Sequence, residues 1–276
     1  MPANEDQIKF WNDKAGRDWT ELQERMDANL SSIHKAIMAF AAPQPSEHVL
    51  DVGCGTGTTT MALADAVGPS GSVTGIDISV PMLGLAETRS KGRTNIQYRN
   101  ADAAVEAFRP EYDLLFSRFG VMFFDDPQAA FANLRSAVKP GGRLAFVCWR
   151  TPPENPWASA PIRAAKPFLP ETLPPDPLAP GPFAFADAGR TQGILERAGF
   201  SAVRIEKYDG VMNMGDDMDR VAALTLRLGP LQRLVGDADA AVQARIVDAV
   251  KRALAEFQTP DGIAPPVACW LVGANA

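Results

Sequence analysis

Apolar positions along the chain change period several times, and each change predicts an element. Over residues 5 to 41 the apolar residues recur at helical spacing. Met26, Leu30, Ile33, Ile37 and Phe40 lie 4, 3, 4 and 3 residues apart, which marks one apolar helix face. Gly16 offers a break, and the run PQPSE ends the helical stretch. Short apolar runs then alternate with helical patterns. HVLDVG, SVTGID, NIQYRNAD, YDLLFS and RLAFVCW read as five strands. Thr58–Val67, Val80–Lys91 and Pro127–Val138 read as helices, with Pro81 tolerated in a first turn and KPGG a turn before the fifth strand. Apolar strands alternating with helices predict a parallel sheet covered on both faces.

Beyond residue 150 the pattern changes. Eleven prolines between Pro152 and Pro182 argue against long helices there and leave room for short helical pieces. Trp157, Phe168, Phe183 and Phe185 make this stretch an ordered excursion, because a disordered linker rarely carries so many large apolar groups. It is expected over the carboxyl edge of the sheet. Asp187–Ala198 reads as a helix ended by Gly199, SAVRIEKY as a sixth strand, residues 217 to 258 as two helices and APPVACWLVGA as a last strand.

Composition narrows the class. The chain has 276 residues, 46% hydrophobic and 22% charged, an ordinary globular balance large enough to bury a sizeable core. A net charge of −6 and the lack of a basic run disfavour a nucleic-acid partner. Three cysteines far apart, no CxxC pair and only two histidines argue against a metal site. The start, MPANEDQIKF, has no apolar core for a signal peptide, and no apolar run approaches the ~20 residues of a membrane span. A cytoplasmic protein with no membrane partner is expected.

Four segments at successive strand ends carry candidate chemistry. Asp51-Val-Gly53-Cys54-Gly55-Thr-Gly57 leaves the first strand and enters a helix. Its glycines let bare backbone approach a ligand, and the helix start offers free N–H groups. The dinucleotide fingerprint GxGxxG fails, because Thr58 occupies its last position. An acid before GxGxG instead suits a cationic ligand. Asp77 ends the second strand, where a carboxylate can accept ribose hydroxyls. Asp102 follows the third strand, within the run Asn100-Ala101-Asp102, and could accept from an adenine amino group. Ser117-Arg118-Phe119 ends the fourth. Strand ends of this kind are where α/β sheets bind ligands.

Together these segments resemble the class I S-adenosylmethionine (SAM)-dependent methyltransferases, especially the ubiquinone/menaquinone-biosynthesis-like, type 11 branch. VLDVGCGTG matches its first motif, GIDIS its acidic second-strand motif, NADA its adenine-side motif and VKPGG the turn before its fifth strand. The resemblance implies an α/β fold: a Rossmann-like sheet with helices on both faces, an amino-terminal helical cap, and insertions after the fifth and sixth strands. Residues 1–45 would form the cap and 46–150 the SAM-binding core. Residues 151–186 and 211–260 would be lid insertions, and 187–210 and 261–276 the rest of the sheet. It implies SAM as cofactor, S-adenosylhomocysteine as product, and no metal. Gly53, Cys54, Gly55 and Gly57 would lie against SAM, with Asp51 near its amino-acid end. Asp77 would hold the ribose with Ile78 beside the adenine, Asp102 and Ala103 would meet the adenine edge, and Ser117 the methionine portion. Met82 and Ala101 complete the implied set.

Methyl transfer leaves no obligatory catalytic signature, because positioning and water exclusion suffice. No catalytic residue is assigned. On the acceptor side the candidates are Arg118, Phe119 and Phe123 after the fourth strand, Trp19 in the cap and Trp157 in the proline-rich excursion. Arg118 could clamp a carboxylate of the substrate or of SAM itself. Plain packing is the competing reading of the aromatic residues, and an ion pair that of Arg118. The expected activity is methyl transfer to an O, N or C atom of a small, partly apolar metabolite. The partner is that small molecule, and a homodimer is compatible with the sequence. Competing readings are a protein or RNA methyltransferase and a non-catalytic SAM-binding module.

Overall fold

The computed structural model describes residues 4–170, 176–235 and 238–276. Four helices open the chain: α1 (Glu5–Asn12), α2 (Lys14–Glu21), α3 (Gln23–Asn29) and α4 (Ser31–Ala41). The single amphipathic face read from Met26 to Phe40 is therefore divided between α3 and α4, and Ile33 and Ile37 on α4 are wholly buried. The alternating core follows as β1 (His48–Val52), α5 (Thr58–Val67), β2 (Ser72–Asp77), α6 (Val80–Arg89), β3 (Ile96–Asn100), β4 (Tyr112–Arg118), α7 (Pro127–Ala137) and β5 (Val138–Trp149). Next come α8 (Pro156–Ala165), α9 (Ala188–Arg197), β6 (Ser201–Val211), α10 (Met218–Arg227), α11 (Pro230–Val235), α12 (Ala240–Leu254), a small hairpin of β7 (Gln258–Thr259) and β8 (Gly262–Ile263), and β9 (Pro266–Asn275).

The main sheet has strand order β3-β2-β1-β4-β5-β9-β6. All neighbours pair in parallel except at β9, which runs antiparallel to both β5 and β6. The expectation of a wholly parallel sheet is corrected there: β9 arrives from the hairpin side and slots between two parallel strands. The KPGG segment is also not a separate turn. It lies within β5, and the pairing with β4 jumps from Tyr112↔Val138 to Leu114↔Arg143, so the extra residues bulge. Between residues 217 and 258 there are three α-helices among the described residues instead of two, because Gly229 and Pro230 interrupt the apolar face. Part of the proline-rich excursion, residues 171–175, lies outside the described residues.

From β1 the chain crosses through α5 to β2. From β4 it crosses through α7 to β5, in the opposite direction along the sheet. Right-handed crossovers therefore place α5 and α7 on opposite faces. Phe116, Phe131, Phe146, Phe185, Leu114 and Leu115 are fully buried between the layers. The two directions diverge between β1 and β4, and such a switch point opens a crevice at the carboxyl ends of the strands.

Candidate cofactor and acceptor site

The crevice holds a cavity of about 1070 Å³, large for a single drug-sized ligand. Its floor is the turn after β1. Gly53 and Gly55 have φ of +67° and +56°, a region that favours glycine. A Cβ on Gly55 would lie 2.9 Å from the terminal methyl of Met82. The turn is held from below by Asp77, at the end of β2. Its two carboxylate oxygens accept from the backbone N–H of Gly55 and of Ser79, each at 2.8 Å. Burial raises the pKa of Asp77, and the backbone N–H donors oppose that shift.

Gly53, Cys54, Gly55, Asp77, Ile78, Met82, Ala101, Asp102 and Ala103 all line this cavity. Asp102 is already engaged. Both its oxygens accept from the Asn4 side-chain amide, at 2.9 and 2.8 Å, and one also accepts from Ala104 N–H. Asn4 also bonds Asp125 through backbone and side chain, so the residue before α1 is fastened at the third strand end.

Three expected cofactor residues lie outside the lining. Ser117 is fully buried; its hydroxyl donates to Val52 C=O at 2.8 Å and accepts from Gly120 N–H at 3.1 Å. Successive side chains of a strand point to opposite faces, so with Arg118 at the cavity Ser117 is turned from it. Gly57 is the N-cap of α5 with φ +82°, and a Cβ there would lie 2.5 Å from the Tyr98 hydroxyl. Its bareness serves helix–strand packing. Asp51 is buried beneath the turn, accepting from the Thr59 and Thr60 hydroxyls at 2.7 Å each. Its other oxygen has no partner, and burial pushes its pKa up to about 6.

The acceptor-side candidates Trp19, Arg118, Phe119, Phe123 and Trp157 also line the cavity. Phe119 sits at φ +68°, strained backbone for an aromatic residue. Its ring stacks on Trp149, centroids 4.3 Å apart and planes within 9°. Trp149 meets Trp157 at 4.7 Å, and Trp157 meets Phe183 at 6.3 Å, so an aromatic wall runs from the strand ends into the excursion after β5. Trp11 packs edge-on against both Trp19 and Phe123 from the cap side.

Sequence reading missed the roles of Asp27, Trp149, Met122 and Leu228, which line the same cavity. Trp149 ends β5, and the strand-end rule that singled out Arg118 would have found it. Asp27 on α3 had no local signal. It accepts from Thr58 at 2.6 Å and Arg89 at 3.1 Å, and its other oxygen lies 3.6 Å from Arg118. Met212 and Met214 are buried and line the cavity. Asp217 caps α10, accepting from Asp219 and Arg220 N–H. Cys148 and Cys269 are wholly buried core residues, and burial raises both thiols above their ordinary range. No described helix is long and apolar enough to cross a membrane.

The family described as "Methyltransferase domain" matches residues 49–142. The chain is 30% identical over 187 residues to demethylmenaquinone methyltransferase of Staphylococcus carnosus, spanning 64% of this chain and 77% of that relative. It is 29% identical over 185 residues to nocamycin O-methyltransferase of Saccharothrix syringae, spanning 62% of this chain and just under two thirds, 65%, of that relative. In fold it is similar to the YcgJ protein of Bacillus subtilis, with a TM-score of 0.58 at 18% identity, covering 88% of this chain and 97% of that one. The chain belongs to the class I SAM-dependent methyltransferases.

Proposed function

We propose that the protein transfers the methyl group of SAM to an O, N or C atom of a small, partly apolar metabolite. The observation that carries this reading is one cavity with two differently built ends. One end is bare backbone and carboxylates at the switch point; the other is the wall of Phe119, Trp149, Trp157 and Phe183.

The first end fits SAM. Gly53 and Gly55 offer backbone without Cβ, the Asp77 carboxylate retains acceptor capacity for ribose hydroxyls, and Ala101, Asp102 and Ala103 would flank the adenine. SAM, when bound, supplies an activated sulfonium methyl that a nucleophile displaces in line. The chain's own part is positioning and drying. The glycine turn and Asp77 fix the nucleoside end, and the aromatic wall holds an apolar acceptor and excludes water. The segments after β5 and β6 supply Trp157, Leu224 and Leu228 to the lining, which suits an enclosed metabolite better than a polymer. The two relatives are named for nocamycin and demethylmenaquinone, both small molecules.

Incubation with methyl-labelled SAM and a panel of phenols, enols, carboxylic acids and amines tests the reading. Label should pass to an apolar member of the panel. Transfer to bulk protein or RNA, with none to the panel, would refute it.

A further inference from the structure

We infer that Arg118 and Asp27 together read the amino-acid end of the cofactor, Arg118 taking its carboxylate and Asp27 its ammonium. This rests on the proposal that SAM fills the cavity.

Arg118 closes β4, and its side chain is only 12% exposed. A guanidinium carries five N–H donors. Its Nη1 is buried without any partner, and its ion pair is with Asp27. The nearest ionic contact, Nη2 to Asp27 Oδ1, is 3.6 Å, too long for a hydrogen bond. Unspent donors on a buried cation are costly, so a ligand acceptor is the expected complement. A carboxylate fits a guanidinium fork with two parallel bonds.

Asp27 is the other half. Its Oδ2 is fully used, by Thr58, Arg89 and the Gln23 amide. Oδ1 has only the long contact to Arg118, and Asp27 lines the cavity. The position relative to the glycine turn follows from the same bonds. Thr58 is the first residue of α5, and Arg89 donates to Thr56 C=O at 2.6 Å and to Thr58 Oγ1 at 2.9 Å. The pair thus stands over the start of α5, where free N–H groups and the helix dipole add attraction for an anion. An α-amino acid carries its opposite charges on one carbon, so one opposite pair on the protein meets both.

Asp27 comes from the helical cap, outside the segment matched by the methyltransferase family. The cap therefore completes the cofactor site instead of merely covering it, and cofactor binding fastens α3 to the core.

Calorimetry on the full chain tests this with two ligands, S-adenosylhomocysteine and 5′-methylthioadenosine. They share nucleoside and thioether, and only the first has the amino acid. Arg118→Gln and Asp27→Asn should each weaken S-adenosylhomocysteine about tenfold or more, the scale of a lost charge-assisted hydrogen bond, and leave methylthioadenosine within about twofold. Equal loss of both ligands, or no loss of either, overturns the assignment. If Arg118→Gln fails to fold, Asp27→Asn and Arg118→Lys carry the same comparison. Wild-type protein that binds neither ligand overturns the SAM reading itself; wild type that binds both, with variants indistinguishable from it, overturns the Arg118–Asp27 assignment alone.

Discussion

Gly53 and Gly120 meet backbone to backbone at the switch point: a Cβ on Gly53 would stand 2.6 Å from the Gly120 Cα, and one on Gly120 2.5 Å from the Val52 carbonyl oxygen. The turn after β1 and the loop after β4 are thus set against each other with no room for a side chain. That contact fixes the glycine turn relative to Arg118 and Phe119.

Gly120→Ala should therefore force the two loops apart. Overpacking of this kind costs ~1–3 kcal/mol. The expected result in urea denaturation is a lower midpoint with an unchanged slope, together with weaker S-adenosylhomocysteine binding. A variant as stable as the wild type with undiminished affinity would show that the contact is not a constraint.

Asp77 supports the turn from one side and faces the cavity on the other. Asp77→Ala should weaken S-adenosylhomocysteine by ~1–3 kcal/mol, through loss of charge-assisted hydrogen bonds and of the bond that holds Gly55 N–H. Calorimetry measures it directly. Unchanged affinity would remove Asp77 from the site.

Asp51 gives a pH prediction. Its native pKa, about 6, lies above the ordinary 3.8, and burial is the main cause. The native state therefore keeps a proton that the unfolded chain has already released between these values. This group's contribution is intact below about pH 4 and is lost as pH rises through about 6. The loss is on the order of 2–3 kcal/mol, from a difference of roughly two pH units. Asp51→Asn cannot release a proton, so its stability relative to wild type should grow from pH 4 to pH 6 and then level off. Urea denaturation of both proteins across that range checks it, and a constant difference would contradict it.

The core elements were legible because their signals are local. Thr58–Val67 and Ser72–Asp77 occur with the bounds read from the sequence, since each combines a full period of apolar positions with glycine or proline punctuation. The glycine turn was legible because its chemistry is backbone chemistry. The antiparallel placement of β9 was not, because strand order depends on contacts with β5 and β6, far away in the chain. The burial of Ser117 was not legible for a related reason: a strand's alternation is readable, but which face meets the crevice depends on the neighbouring loop.

The sequence alone determined the alternating sheet-and-helix core, the bare turn after the first strand and the carboxylate at the end of the second. Each depends on residues close together in the chain, where hydrophobic period and glycine freedom act directly. Tertiary structure alone decided that Asp27 stands beside Arg118, that Trp149 stacks on Phe119, and that Asp51 is sealed below the turn. The first two join segments tens of residues apart, and the energy that fixes all three comes from packing and desolvation, which no local pattern encodes.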